Sequence, residues 1–225
     1  MPAALTYPGV YVEEIPSGVR TIIGVATSIA AFVGRTARGP VQEPATITSY
    51  ADFERRFGPL SRDYPLGYAV RDFYLNGGTT AIILRLYKKS GQAEGVSTSA
   101  FDGLTLRALS QGKWGDKIGV KIEAAQGVTE DFADAIDPSL AAADFFNLIV
   151  TYGLATNIVE TYLAVTLKTK GGARRLDRVL AAGSNYIGVS GAVPDVTAPG
   201  AGAHTFTGGD DGGDLDQASF QLQKD

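Results

Sequence analysis

Apolar positions along this chain come in two rhythms, unbroken runs and strict alternation, and the two predict different strands. Ile22 to Gly34 is apolar at nearly every position and ends Ile29-Ala-Ala-Phe-Val-Gly34. A run this continuous, closed by glycine, predicts a strand buried on both faces. Thr80 to Leu86 has the same texture. Between them the spacing turns helical. Ser49 is placed to cap a helix, with Asp52 three residues on, and Tyr50, Phe53 and Phe57 make one aromatic face that Gly58-Pro59 stops. A second helix starts at Pro65 and carries Leu66, Ala69, Val70, Phe73 and Tyr74 as its stripe, ending at Asn76-Gly-Gly78. Gly39-Pro40 marks a turn, and Ala45 to Thr48 reads as a brief edge strand. Residues 27–87 thus predict strand, two helices, strand, an α/β unit with a crossover connection.

The pattern changes after Lys88, where a polar, Gly/Ser-containing stretch to Ser99 marks a boundary. Leu104 to Leu109 and Ile118 to Glu123 alternate, with Gly112-Lys-Trp-Gly-Asp116 as the turn expected between them. Thr129 is placed to cap a short acidic helix to about Ile136. Phe145 to Gly153 and Val159 to Leu167 predict a hairpin with Ala155-Thr-Asn157 near its turn. A helix over Gly172–Ala182 turns Leu176, Val179 and Leu180 inward and Arg174, Arg175 and Arg178 outward, and Asn185 to Ser190 is a strand. Val193 to Ala203 has the composition of a linker. Beyond Gly208-Gly-Asp-Asp-Gly-Gly213, Asp214 or Asp216 is placed to cap a helix near Leu215. The fold class expected is α+β: a 21–90 α/β part, a 100–193 mixed and mostly antiparallel β domain with short helices, a 194–205 linker, and the opening of a further domain over 206–225.

The first twenty residues stand apart as an extended arm. Tyr7, Pro8, Gly9, Val10, Tyr11, Val12, Glu13, Glu14 and Ile15 are bracketed by prolines, so they exclude a stable helix, and their centre is β-branched or aromatic. A lone strand leaves its peptide groups unpaired, so it frays or completes a sheet, its own or a neighbour's. Glu13 and Glu14 fall on opposite strand faces and make no catalytic dyad.

Composition narrows the chemistry. Lys+Arg number 20 against Asp+Glu 24, a formal charge of -4 that gives no footprint for nucleic acid or an anionic membrane. With no cysteine, disulfides and thiolate chemistry are excluded. No apolar run reaches the ~18 residues of a membrane span, and Ile22 to Val33 follows Glu13-Glu14 rather than a basic segment, so neither a transmembrane segment nor a signal peptide is expected.

Four features invite a site. Gly34-Arg-Thr-Ala-Arg-Gly39 has the outer glycine spacing of a phosphate loop, but Pro40-Val41 replaces the Lys-Ser/Thr pair and no helix follows. A solvated turn is the plainer reading; a nucleotide- or phosphate-binding α/β enzyme using Gly34–Gly39 is the alternative. Asp210, Asp211, Asp214 and Asp216 fail the calcium-loop template, because Leu215 and Gln221 stand where glycine and glutamate are required; acidic turn residues and a helix cap account for them. His204, the only histidine, reads as an exposed loop residue, and no nucleophile elbow is present. Trp114 reads as a hairpin or core anchor, with a glycan-stacking platform as the other option. No catalytic residue, cofactor or metal site is expected.

Six stretches carry a resemblance: Tyr7-Pro-Gly-Val-Tyr-Val-Glu-Glu14; Thr27-Ser-Ile-Ala-Ala-Phe-Val-Gly-Arg-Thr-Ala-Arg-Gly-Pro40; Ser49-Tyr-Ala-Asp-Phe-Glu-Arg-Arg-Phe-Gly58; Tyr64 to Gly78; Gly112 to Asp116; and Phe206-Thr-Gly-Gly-Asp-Asp-Gly212. In this order they resemble the N-terminal portion of contractile tail sheath proteins, the family of phage tail sheaths, R-type pyocins and type VI secretion sheaths. The resemblance implies a structural, non-enzymatic subunit that forms hexameric rings around a tail tube. Its partners would be other sheath subunits, tube and baseplate, and its place a virion tail or a particle assembled in the bacterial cytoplasm. It implies that Tyr7 to Ile15 is an arm adding a strand to a neighbouring subunit's sheet. It also implies a subtilisin-like domain after the Gly-Gly-Asp-Asp-Gly motif, of which this sequence carries only the opening, so a truncated or partial sheath chain is expected.

Overall fold

A computed structural model of the chain describes residues 29–90 and 94–220. The arm residues Tyr7 to Ile15 lie outside these. The described chain is α+β, with three small sheets and four short α-helices.

The first sheet comprises β1 (Ile29–Gly34), β2 (Pro44–Ile47) and β3 (Thr80–Arg85), in the order β1-β3-β2. β1 runs parallel to β3, as the intervening helices require, and β2 is antiparallel to it. Helix α1 (Tyr50–Phe57) begins where the sequence placed it: the Ser49 hydroxyl accepts from the Asp52 N–H at 3.2 Å, and Gly58, at φ 96°, closes it. Helix α2 (Leu66–Leu75) follows Pro65. Phe53, Phe57 and Val70 pack on Ile47, Ala81 and Ile83, with Phe32 against Phe73 at the margin.

Among the described residues only one face of this sheet is covered. Ile29, Ala31 and Val33 are exposed, and Ile82 and Leu84 beside them are half-buried. Of the Ile22 to Gly34 run, expected to be a strand buried on both faces, residues 22–28 lie outside the described residues, and among the described residues β1 is an edge strand that the helices cover only on its Ala30–Phe32 side.

The remaining sheets enclose one larger core. β4 (Thr98–Phe101), β5 (Leu104–Ala108) and β9 (Ile187–Val189) form an antiparallel trio in the order β4-β5-β9. β6 (Ile118–Ala124), β7 (Phe145–Tyr152), β8 (Leu154–Thr166) and β10 (Gly202–Thr205) form the other, in the order β10-β6-β7-β8. Leu104 and Leu106 of the trio join Val120, Ile122, Leu148 and Val150 of the quartet, and helix α4 (Leu176–Gly183) adds Leu176 and Leu180. Helix α3 (Glu130–Asp134), capped by the Thr129 hydroxyl, covers a satellite cluster with Leu140 and Phe145.

Four expectations give way here. β5 and β6 do not pair as a hairpin but belong to different sheets, because Lys113–Lys117 coils into a 3-10 turn that buries Trp114 and redirects the chain. The stretch read as linker ends in β10, which pairs with β6 and stacks His204 on Phe101 with ring centroids 4.1 Å apart. His204 is a packed strand residue, not an exposed loop one. The β7–β8 turn also comes earlier than expected, at Gly153 with φ 80°.

Candidate functional site: a clasp around Arg85

Arg85 is the last residue of β3 and is 2% exposed. Its side chain emerges where the helical unit meets the larger core. Nε donates to the Thr36 carbonyl at 3.2 Å, one terminal nitrogen to Gly39 O at 2.8 Å, and the other to Gln111 O at 2.9 Å. The first two carbonyls belong to the loop after β1, the third to the strand-to-turn connection of the second unit. A guanidinium suits this task because its donors point in fixed, divergent directions. Burial lowers its pKa to about 10, with Tyr64 and Asp211 nearby opposing the shift, so the group stays protonated at neutral pH.

The Gly34–Gly39 loop is woven into the same place. Arg35 donates to Asp211 O at 2.9 Å and Gly212 O at 3.3 Å, and Thr36 is buried with its hydroxyl on Arg38 O at 2.8 Å. Arg38 donates to Arg55 O at 2.8 Å and Glu54 O at 3.3 Å, at the carbonyl end of α1 where a cation is favoured. The same guanidinium lies over the rings of Tyr186 (5.2 Å) and Trp114 (5.7 Å) across the junction. Gly39 N donates to the Ser110 hydroxyl at 3.0 Å. The loop is no solvated turn, and its arginines and carbonyls are engaged with protein groups rather than arranged as a cradle for phosphate.

The Gly-Gly-Asp-Asp-Gly segment closes the arrangement from the other side. Gly209 N and the Ser97 hydroxyl both donate to Asp116 Oδ1, each at 2.8 Å. Lys113 N donates to Asp211 Oδ1 at 2.7 Å, and Asp210 N and Gly112 N share the Gly95 carbonyl at 3.1 and 2.9 Å. Gly213 N reaches Lys88 O at 3.0 Å. Gly209 is required by closeness: a Cβ there would sit 2.5 Å from both Gly112 O and Ser97 Oγ. Tyr64, beside Asp211, has its pKa pushed up to about 12, first by burial and then by that carboxylate. Asp216 accepts from Ser219 N at 3.0 Å and caps the last 3-10 turn, as the sequence suggested, and pairs with Lys88 at 2.9 Å.

Three of the stretches singled out in the sequence, Gly34–Pro40, Gly112–Asp116 and Phe206–Gly212, therefore converge on one joint. Trp114 is its anchor, with Nε1 on Gln111 O at 3.1 Å and its ring beside Tyr152 and Tyr186. Arg85 was the residue that sequence reasoning missed. Its signal was a single charge at the end of an otherwise apolar buried run. Among the described residues no group of three His, Asp or Glu side chains is placed to hold a metal, and no helix is long and apolar enough to cross a membrane. Chemically, the arrangement holds two units in fixed relation.

No family model matches the chain, and no curated protein matches it. Among solved structures it is similar to the sheath tail protein Lin1278 from Listeria innocua, at 16% identity over 81% of this chain and 34% of that one, with a TM-score of 0.52. It is also similar to the sheath tail protein DSY3957 from Desulfitobacterium hafniense, again at 16% identity, over 94% of this chain and 41% of that one, with a TM-score of 0.50. The resemblance to tail sheath proteins drawn from the sequence is thus shown at the level of fold. The chain spans between a third and about two fifths of the length of these sheath tail proteins.

Proposed function

We propose that this chain is a structural, non-enzymatic subunit, or part of one, of a contractile tail sheath. In this reading subunits form hexameric rings around a tail tube, in a virion tail or a related particle assembled in the bacterial cytoplasm. They are tied to their neighbours by the arm Tyr7 to Ile15, which adds a strand to an adjacent subunit's sheet. Contraction then reorients the subunits as rigid bodies with the arms as tethers. One observation carries the reading: three stretches that resemble sheath proteins in sequence bond to one another at the joint beside the buried Arg85, in a fold shared with two sheath tail proteins. A subunit that must rotate without deforming needs its two units locked together, and the clasp supplies that lock. The alternative, phosphate chemistry at Gly34–Gly39, is disfavoured because the loop's polar groups already bind Arg85, α1 and Asp211.

The test is incorporation. Full-length chain and a variant lacking residues 1–16 are expressed, tagged, in cells assembling the particle, and labelled in purified sheaths by immuno-electron microscopy. The full chain is expected in the sheath. The shortened chain is expected to be absent from it while keeping an unchanged melting curve. Normal incorporation of the shortened chain would remove the arm from the proposal, and absence of both from sheaths would remove the sheath itself.

A further inference from the structure

A cavity of about 420 Å³ opens at the seam between the two units. Leu109 and Trp114 give it an apolar floor, while Arg38, Arg55, Arg56 and Asn185 line its rim. Among the described residues no carboxylate lines it. Arg55 and Arg56 converge on one oxygen, Asp52 Oδ1, at 2.6 and 3.0 Å. Arg38 is held by the α1 carbonyls and has no ion pair among the described residues. Behind the rim, Glu160 is occupied by the Ser184 hydroxyl and the Asn185 N–H, both at 2.7 Å. Three guanidinium groups thus stand against two carboxylates, a surplus of positive charge on a chain whose formal charge is -4.

We propose that this cavity receives the acidic helix α3 of a second copy of this chain, with Asp131 and Asp134 meeting Arg55 and Arg56. Between Lys121 and Lys168 the sequence has seven acidic residues and no basic one. Most already have partners. Glu123 pairs with Lys121, Asp137 with Lys170 and Asp144 with Lys168, and Glu130 accepts from Ala142 N at 3.0 Å. Asp131 and Asp134 are exposed, and their carboxylates have no ion pair or hydrogen bond among the described residues. The cation packed on α3, Arg174, lies over the Phe132 ring at 4.9 Å instead. Three residues apart on a helix, the two carboxylates sit about 5–6 Å from each other on one side. That spacing suits two guanidinium groups which themselves converge. Ala135, exposed beside them, is small enough to lie on Leu109, which is 44% exposed at the cavity floor.

One molecule cannot fill its own cavity. β6 starts beside the Trp114 turn and runs seven residues away from the seam, about 20 Å, to the end where α3 packs on Phe145. The contact is therefore between different patches of two copies, the heterologous kind that repeats around a ring. It deepens the proposed function by naming a contact between subunits. It rests on that reading for the ring, while the pairing itself is tested on the purified chain, so the two fail separately.

Sedimentation equilibrium at about 0.01 M salt is expected to show mass rising with concentration. At about 0.15 M, where the Debye length has fallen from about 30 to 8 Å, association should weaken. Trp114, the only tryptophan, lines the cavity, so its emission is expected to shift over the same concentrations. Arg55→Glu with Arg56→Glu, and separately Asp131→Lys with Asp134→Lys, are each expected to weaken self-association about tenfold or more. An equimolar mixture of the two variants should regain it, because every contact then joins opposite charges. Circular dichroism checks that both fold. If the reversed cavity does not, Arg55→Gln with Arg56→Gln replaces it, and mixing with the lysine variant should give dimers and no larger species. A chain that stays monomeric at every concentration, association that only one of the two reversals weakens, or folded variants that do not associate when mixed would each overturn the contact.

Discussion

The two packing units of this chain treat their apolar sheet surfaces in opposite ways. In the larger unit, two sheets face each other, and Leu106, Val120, Leu148 and Val150 are closed on both sides by strands and by α4. In the smaller unit the sheet is closed by α1 and α2 on one side and left bare at Ile29, Ala31 and Val33 on the other. The first arrangement is closed at these inward positions, although its edge strand β8 also leaves Leu154, Ile158 and Leu163 exposed. The second leaves an apolar face and an uncharged edge that the described residues do not cover, the kind of surface that a soluble chain carries when something else is to sit there. The clasp lies between them and decides whether the open unit is presented rigidly or swings. Experiments on the joint and on the two kinds of surface should therefore separate cleanly.

The largest effect is expected at Arg85. Arg85→Met keeps the aliphatic volume but leaves the carbonyls of Thr36, Gly39 and Gln111 without their donor in a buried place. Loss of a buried, hydrogen-bonded charge of this kind costs about 3–5 kcal/mol, read as a lowered denaturant midpoint. If the two units are coupled only through the clasp, the transition should also split in two. A single transition at the original midpoint would show that the joint is held by other contacts.

Gly209→Ala ranks next. The added methyl would meet Gly112 O and Ser97 Oγ at 2.5 Å; the first is backbone, and the second is held by its hydrogen bond to Asp116, so little can yield. Overpacking of this sort costs roughly 1–3 kcal/mol. Gly213→Ala, with no atom within 4 Å of the new methyl, serves as the neighbouring control and should melt like the parent.

Alkaline pH probes the joint through Tyr64, and the larger unit through Tyr162, without mutation. Tyr64 and Tyr162 have pKa values pushed up to about 12, chiefly by burial, against about 10 in an unfolded chain. Between those values the folded state holds protons that the unfolded state has released, so their contribution is complete below pH 10 and lost toward pH 12. Arg85, lowered to about 10, acts in the opposite sense over the range above its folded pKa. The expected net result is a stability that falls as pH climbs from 10 to 12, with Tyr64→Phe reducing the slope. Ultraviolet titration should show Tyr64 and Tyr162 among several late-ionising tyrosines, since burial also raises Tyr50, Tyr74, Tyr87 and Tyr152, and a normal titration of all tyrosines would refute the assignment.

The sequence made the helices of the smaller unit legible because their signals are local. Ser49 and Gly58 cap α1, and the spacing of Tyr50, Phe53 and Phe57 predicts the ring stack that forms, with centroids 6.0 and 5.4 Å apart. Pairing was less legible. Alternation marks Leu104–Leu109 and Ile118–Glu123 as half-buried strands but does not say which neighbour each takes, and Trp114 sends the chain to a second sheet. The clasp was readable in its glycines and aspartates but not in its purpose, because Arg85 gathers carbonyls from residues 36, 39 and 111 that only the fold brings together. β1 shows a further limit, since among the described residues one of its faces has no cover. Continuous apolarity reports that both faces are meant to be covered, and it does not say by which molecule.

That distinction can be tested with the smallest change of the set. Val33→Thr and Val120→Thr are the same chemical replacement, one hydroxyl for one methyl, at strands in the two units. Val120 is buried between two sheets, so its new hydroxyl has no water and no designed partner; a loss of about 1–3 kcal/mol follows. Val33 stands on the bare face, where the hydroxyl stays hydrated and threonine keeps the β-branched shape; the expected change is within about 0.5 kcal/mol at low protein concentration. Chemical denaturation at two protein concentrations reads both numbers. A Val33→Thr penalty that is large and independent of concentration would mean that this face is already covered within one molecule, and the contrast between the closed and open sheets would vanish.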